Sequence, residues 1–188
     1  MPGAERIWNT QQANRAARLQ RARTELGSSL AGKIVDFDRV SDLLHQVIEP
    51  GDRVCLEGNN QKQADFLAKA MTRLDPERVY DLHMVQSVLS LPEHLDVFEN
   101  GIASRLDFSF SGPQGARLAK LAMSGKLNIG AIHTYLELFG RYFVDLTPRV
   151  ALVAAEAADR EGNLYTGPNT EDTPAIVEAT AFKSGIVI

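Results

Sequence analysis

The stretch that decides the fold is Val54-Cys-Leu-Glu-Gly-Asn-Asn-Gln-Lys-Gln-Ala-Asp-Phe-Leu-Ala-Lys-Ala-Met71. A short apolar run meets Glu57-Gly58-Asn59-Asn60, and small and apolar residues then follow at helical spacing. This order predicts a strand, a tight turn and a helix. Such a turn leaves backbone N–H groups at a helix N-terminus, where an anionic ligand is favoured. In an open α/β sheet, ligands also bind outside the carboxyl ends of the strands. The sequence therefore predicts a site here.

Length and composition fit one ordinary globular domain. The chain has 188 residues, of which 44% are apolar and 23% are charged, as in an average globular protein. The formal net charge is −4 and no basic block dominates, which disfavours nucleic acid as a partner. Arginines do cluster between Arg15 and Arg23, a pattern that favours a solvated helix face or a subunit contact.

The redox and targeting signals favour the cytoplasm. A single cysteine excludes an internal disulfide. No apolar stretch reaches the roughly 18 residues that a transmembrane helix needs, and no apolar segment of a signal peptide follows the first residues. We therefore predict a cytoplasmic protein without a membrane partner.

Strand and helix patterns alternate along the chain. Strands are predicted at 54–56, 79–85, 105–110, 128–132, 149–155 and 186–188, and helices at 5–25, 40–48, 61–74, 91–98, 114–124 and 174–182. For the 40–48 helix, Asp36 or Asp38 is the expected N-cap. The alternation predicts an α/β fold with an open, mostly parallel sheet flanked by helices.

Two units are expected within the chain. We predict an N-terminal helical extension at 1–35 and the α/β domain at 36–188. Because the last residues form an apolar strand without a polar tail, we also expect the first half of a longer subunit.

The loop from Glu57 to Gln61 has two readings. It lacks the Gly-Lys-Ser/Thr of a P-loop and the Gly-x-Gly-x-x-Gly of a dinucleotide site. Its amides could donate hydrogen bonds to a carboxylate or thioester oxygen, in the manner of an oxyanion hole. Alternatively, the asparagines only satisfy backbone groups in a helix-capping turn.

A second candidate follows the predicted 149–155 strand. Asp159 to Asn163 has the residues of a turn, with Gly162 free to adopt positive φ. Glu156 comes at the carboxyl end of the strand, where a site residue is expected. The alternative is a solvated turn.

Three further segments are weaker candidates. The aromatic segment that starts at Tyr135 either walls a pocket or belongs to the core. Glu99, in Phe-Glu-Asn-Gly, is either a nucleophilic carboxylate or part of a turn. Ser111-Gly112 stands without the Gly-x-Ser-x-Gly of a nucleophile elbow.

The histidines and Cys55 show no metal-ligand spacing, so no metal site is predicted. Cys55 lies inside an apolar strand and is expected to be an inert buried thiol.

Three segments carry a resemblance to a known family: Glu-Gly-Asn-Asn-Gln-Lys-Gln-Ala-Asp-Phe-Leu at 57–67, Ala-Asp-Arg-Glu-Gly-Asn-Leu-Tyr at 158–165, and Phe-Lys-Ser-Gly-Ile-Val-Ile at 182–188. They resemble the α subunit of malonate decarboxylase, over nearly the whole chain. The wider similarity is to CoA-transferases and the citrate lyase α subunit, in which an Asp-x-x-Gly-Asn turn follows a central strand.

The resemblance implies an acyl-carrier-protein transferase that exchanges acetyl for malonyl on a carrier thioester. The implied partners are the carrier protein, the other decarboxylase subunits, malonate and the acetyl thioester. No tightly bound cofactor is implied for this chain, since the dephospho-CoA-type group belongs to the carrier. The family's full α subunit is longer, with two related domains.

The resemblance also implies roles for site residues. Glu57, Asn59 and Asn60 would contact the thioester, and Glu99 is the remaining catalytic candidate. The substrate-binding candidates are Gly58, Gln61, Ser111, Gly112, Tyr135, Glu156 and Asn169. Two departures from the pattern matter: Asn59-Asn60-Gln61 stands where CoA-transferases carry a glycine-rich loop, and Glu99-Asn100-Gly101 lies in the first half of the unit, whereas the nucleophile of many CoA-transferases lies in the second.

Two other functions compete with the transferase. The first is a non-catalytic module that binds a ligand or docks a subunit, which the N-terminal helix with Trp8 and its arginines favours. The second is a relative of sugar-phosphate isomerases, which ranks last because no phosphate-binding loop is evident.

Overall fold

The computed structural model describes residues 7–59, 62–168 and 170–188, with side chains from residue 10 onward. Its helices are α1 Ile7–Leu26, α2 Val40–Val47, α3 Asp65–Met71, α4 Glu93–Glu99, α5 Gly115–Met123, α6 Tyr135–Val144 and α7 Thr173–Phe182. Its strands are β1 Leu30–Ala31, β2 Ile34–Val35, β3 Arg53–Leu56, β4 Leu82–Val88, β5 Ala103–Phe110, β6 Asn128–Ile132, β7 Val150–Leu152, β8 Ala157–Ala158, β9 Leu164–Tyr165 and β10 Ile186–Val187.

Six strands form one parallel sheet in the order β10-β7-β3-β4-β5-β6. From β3 the chain steps outward through β4 and β5 to β6, and it then returns through α6 to β7 on the other side of β3. Right-handed crossovers that run in opposite directions place their helices on opposite faces of a sheet. The predicted α/β fold with a largely parallel sheet is therefore confirmed, and the topological switch point lies between β3 and β7.

Alternation along β3 assigns the two faces. Val54 and Leu56 belong to a large apolar cluster to which α1–α5 contribute. Cys55 belongs to a smaller cluster, formed with residues of α6 and α7 such as Tyr142 and Ile176. The N-terminal α1 contributes Ala22 to the large cluster and so packs against the α/β domain. The division into a helical extension at 1–35 and a domain at 36–188 stays a prediction.

Several predicted elements differ in detail. The strand expected at 79–85 is β4, three residues later, and the helix expected from residue 61 begins at Asp65. Asp36 precedes a short 3₁₀ turn at Phe37–Arg39 without a side-chain cap bond, and α2 begins only at Val40. The turn expected at Asp159–Asn163 is confirmed and joins the two-stranded hairpin of β8 and β9.

Sequence reasoning missed α6. Its apolar residues lack a clear period, but Thr134-Tyr-Leu-Glu137 is a capping box. The threonine side chain accepts from the Glu137 N–H, and the glutamate side chain accepts from the Thr134 N–H. That motif was the available signal. Within the described residues, no helix is both long and apolar enough to cross a membrane.

Candidate functional site at the carboxyl ends of β3 and β7

Two predicted loops meet at the switch point. Glu57 directly follows β3, and Ala154 comes two residues after β7. The Glu57 N–H donates to the carbonyl of Leu152 at 2.9 Å, and the Ala154 N–H donates to Glu57 Oε2 at 2.6 Å. The carboxyl ends of adjacent parallel strands thus bring together segments that are almost a hundred residues apart.

A buried polar group, here called the Glu57 clasp, consists of Glu57, Lys62, Ala154 and Thr173. Glu57 has no exposed surface. Its Oε1 lies 3.0 Å from the Lys62 ammonium and also accepts from the Thr173 hydroxyl. Lys62 Nζ in turn donates to the Ala154 carbonyl at 3.0 Å and to Thr173 Oγ1. Because a carboxylate only accepts hydrogen bonds, Glu57 holds three segments together here and offers no donor to an oxyanion.

The base of the β3 loop is a compact turn. The Asn59 N–H donates to the Lys62 carbonyl at 3.0 Å, and the Lys62 N–H returns a bond to Asn59 Oδ1 at 2.6 Å. The Gln63 amide donates to the Asn59 carbonyl at 2.7 Å. Gly58 and Asn59 are buried. These bonds are those of a turn stabilised by its own asparagine; two further predicted residues of this loop, Asn60 and Gln61, lie outside the described residues.

Asp172 is a buried carboxyl that sequence reasoning missed. It immediately precedes α7, has no exposed surface and accepts a hydrogen bond from the Ser87 hydroxyl on β4. The Ser87 bond is made to Oδ2, and within the described residues Oδ1 accepts no hydrogen bond. Burial raises the pKa of Asp172 to about 6, the Ser87 bond opposes that shift, and the nearby Glu57 adds to it. In the sequence, Asp172-Thr-Pro174 signals only a helix start.

Tyr135 lies beside this group. Its hydroxyl donates to Glu171 Oε2 at 2.6 Å. Burial is the main cause that raises the pKa of Tyr135, and the hydrogen bond to Glu171 is the next. Its ring contacts Phe139 at 5.4 Å between centroids. That this aromatic segment forms a wall of a ligand pocket stays a prediction.

Glu156 differs from Glu57 in its surroundings. It is exposed, and its backbone N–H donates to the Tyr165 carbonyl at 2.8 Å within the β8–β9 hairpin. Its carboxylate lies against Gly167, where a Cβ would come within 2.3 Å of Oε2. A further predicted site residue, Asn169, lies outside the described residues.

The remaining candidates divide between near and far positions. Ser111 and Gly112 follow β5 at the same edge of the sheet, and a Cβ on Gly112 would lie 3.0 Å from the Leu89 carbonyl. Glu99 is the last residue of α4; it is exposed and ion-paired with Arg117 at 2.7 Å, and the hydrogen bond from Arg117 lowers its pKa. The structure therefore does not bring Glu99 to the switch point.

A polar cavity of about 400 Å³ opens at the opposite, amino-terminal edge, lined in part by Arg53, Arg149 and Lys183. Helices α6 and α7 end there, and cations are favoured at helix C-termini. Arg53 also donates to the Thr147 carbonyl at 3.3 Å. Because these cations have a structural explanation and ligands of open α/β sheets bind at the carboxyl edge, we place the candidate site at β3 and β7. Within the described residues, no three His, Cys, Asp or Glu side chains are grouped to hold a metal ion.

Known proteins resemble this chain in sequence and in fold. Residues 7–188 match the family described as malonate decarboxylase, alpha subunit, transporter. The chain belongs to the malonate decarboxylase α subunit family. It is 54% identical over 184 residues to the acetyl-S-ACP:malonate ACP transferase of Malonomonas rubra. The matched region covers 98% of this chain and 33% of that protein.

Two solved structures of this family have nearly the same fold. A Pseudomonas malonate decarboxylase hetero-tetramer in complex with malonate is 53% identical, with a TM-score of 0.92 over 98% of this chain and 33% of the other. A malonate decarboxylase α subunit from Acinetobacter baumannii is 47% identical, with a TM-score of 0.91 over 96% and 33%. The chain thus spans about a third of the length of these relatives.

Proposed function

We propose that this chain is part of an acyl-carrier-protein transferase of malonate decarboxylase. It would exchange acetyl for malonyl on a carrier thioester, turning acetyl-S-carrier and malonate into malonyl-S-carrier and acetate. The observation that supports this most strongly is the 54% identity, across 98% of the chain, to a transferase of that name.

The switch-point geometry supports the same function. The β3 and β7 loops meet where a small acidic substrate would bind, and the Glu57 clasp fixes the base of the β3 loop. We propose that this loop contacts the thioester or the malonate carboxylate, through Asn59 and the Asn60 that follows it in the sequence. Gly58, Gln61, Ser111, Gly112, Tyr135, Glu156 and Asn169 are proposed to line the site.

The chemistry asks little of the protein beyond position and charge. In the net reaction the acetyl C–S bond breaks, a malonyl C–S bond forms, and one carboxylate oxygen passes from malonate to acetate. The exchange therefore needs no oxidant and no net proton. The carbonyl oxygen gains negative charge during attack, and fixed hydrogen-bond donors stabilise that charge. An amide-rich loop supplies such donors.

The partners follow from the same proposal. The carrier protein would bring a dephospho-CoA-type prosthetic group, and the other subunits would decarboxylate the malonyl thioester. The related Pseudomonas malonate decarboxylase is a hetero-tetramer, which supports a multi-subunit complex for this chain as well. The predicted cytoplasmic location stays a prediction.

The test replaces the loop amides in the complete transferase. Asn60→Ala and Asn59→Ala are expected to lower the acetyl-to-malonyl exchange rate by about 10²-fold, the usual cost of one lost oxyanion donor. Asn128→Ala, on the exposed edge strand β6, is the matched control. An exchange rate that is unchanged in both loop variants would reduce the loop to a capping turn.

The docking alternative has its own observation. Large apolar side chains are exposed on β6 and α6, including Ile132 at 65%, Leu136 at 82% and Val144 at 76%. An exposed apolar patch is typical of an interaction surface. A subunit contact at this face is compatible with transferase activity at the switch point, so the two functions are not exclusive.

A further inference from the structure

His94 lies directly beneath the β3 loop. It occupies the first turn of α4 and has no exposed surface. If Gly58 carried a Cβ, that atom would lie 2.6 Å from His94 Cε1 and 2.8 Å from the Val88 carbonyl oxygen. Real Cβ atoms do not approach so closely, so glycine at position 58 is what allows the backbone to rest on the imidazole.

The His94 imidazole is neutral and contacts the loop by packing. Within the described residues, neither ring nitrogen makes a hydrogen bond of regular geometry. Burial lowers the pKa of His94 to about 4, and the neighbouring Val88 carbonyl only partly opposes that shift. The ring is therefore uncharged near neutral pH, and its contact with Gly58 is one of shape.

The same contact continues into the loop. The Gly58 carbonyl accepts from the Val88 N–H at 3.0 Å, which ties the loop to the end of β4 on the side where His94 packs. On the other side, the Glu57 clasp and the Asn59 turn fix the adjacent residues. The position of the loop relative to the sheet is therefore fixed by three contacts: the hydrogen bond to β4, the packing against the imidazole, and the Glu57 clasp.

We propose that His94 is a positioning residue of the transferase: its ring fills the space beneath Gly58 and thereby fixes the β3 loop at the height that acyl transfer requires. This inference rests on the proposed function, because the loop is taken to contact the thioester. His94 itself touches no substrate and acts through Gly58.

The kinetic test compares four variants of the complete transferase in acetyl-to-malonyl exchange. Removal of the ring in His94→Ala and displacement of the loop in Gly58→Ala are expected to lower kcat by about 10²-fold, as a shift of about 1 Å can, with KM for the carrier unchanged. His94→Gln, which keeps a neutral side chain of similar size, is expected to restore kcat to within a few fold. His45→Ala is the matched control, because His45 lies on α2 and bonds to the Ser41 carbonyl and the Asp75 N–H.

A second measurement separates this inference from the proposed function. Hydrogen exchange of the Asn59 amide, which bonds to the Lys62 carbonyl, is expected to accelerate in His94→Ala but not in His94→Gln or His45→Ala. If the wild type exchanges acyl groups and His94→Ala keeps both kcat and the protection of Asn59, the positioning role is refuted. If the wild type proves inactive while His94→Ala still loosens the loop, the positioning survives and the transferase proposal fails.

Discussion

Glu57 and Glu156 follow neighbouring parallel strands, yet they differ in almost every physical respect. Glu57 has no exposed surface and accepts from an ammonium, a hydroxyl and a backbone N–H. Glu156 is exposed and directly precedes the two-stranded hairpin of β8 and β9. The same rule, that functional groups gather at the carboxyl ends of strands, predicted both positions.

The difference shows what a strand end decides. It decides where a side chain is placed, but the neighbouring segments decide whether that side chain is rigid or accessible. Glu57 is enclosed because α7 begins directly over β3 and supplies Thr173. Glu156 lies at the start of an exposed hairpin, so solvent reaches its carboxylate.

The largest expected effect comes from removing Glu57. Glu57→Ala leaves the mostly buried Lys62 ammonium without its carboxylate, and breaking such a pair costs about 3–5 kcal/mol. Glu156→Ala, the matched exposed glutamate, should change the free energy of unfolding by less than about 0.5 kcal/mol. Urea unfolding of both variants measures the contrast, and equal losses would show that the clasp is not a structural centre.

The next effect is a pH dependence at Asp172. Its folded pKa of about 6 exceeds the ordinary 3.8, so folding favours the protonated form. The associated stability is complete below pH 3.8 and is lost as the pH rises through about 6, a change of about 3 kcal/mol. Asp172→Asn should remove this loss, so that between pH 4 and pH 7 its stability rises by about that amount relative to the wild type.

His94 acts with the opposite sign in an overlapping window. Its folded pKa of about 4 lies below the ordinary 6.5, so its contribution is lost as the pH falls from 6.5 through 4. Between pH 4 and 6 the two contributions oppose each other, so the free energy of unfolding of the wild type changes less with pH than either group alone would make it. Replacing Asp172 should reveal the dependence that His94 contributes. Urea unfolding of Asp172→Asn beside the exposed control Asp38→Asn tests this; parallel curves for the two would contradict it.

Thr173 offers a smaller perturbation of the clasp. Thr173→Val removes the hydroxyl that donates to Glu57 and accepts from Lys62, but the ion pair and the Ala154 N–H remain. We expect a loss of about 2 kcal/mol in the free energy of unfolding, less than for Glu57→Ala. Thr170→Val, at an exposed position of the same loop, is the control, and a loss as large as that of Glu57→Ala would mean that the hydroxyl, not the charge pair, holds the clasp.

Sequence reasoning predicted the two strand ends that the structure brings together at the candidate site, but not the buried side chains around them. The apolar run at Val54–Leu56 and the polar residues after it fixed a strand end, and the order of strands placed a switch point beside it. It could not find Asp172 or His94, because their importance comes from packing against Ser87 and Gly58, which no local pattern encodes. Glu99 illustrates the converse: its Glu-Asn-Gly letters suggested chemistry, but α4 carries it to an ion pair with Arg117.

The smallest effect tests how loosely Glu156 is held. Gly167 has a φ of +71° and its Cβ would meet the Glu156 carboxylate at 2.3 Å, whereas Gly51 has a φ of +77° with open space around it. If the Glu156 side chain simply swings aside, Gly167→Ala and Gly51→Ala should each cost roughly 1 kcal/mol, the strain of a left-handed alanine alone. Adding Glu156→Ala should then not rescue Gly167→Ala. A Gly167→Ala variant that is several kcal/mol worse than Gly51→Ala, and recovers when Glu156 is removed, would mean that the exposed carboxylate is as firmly placed as the buried one.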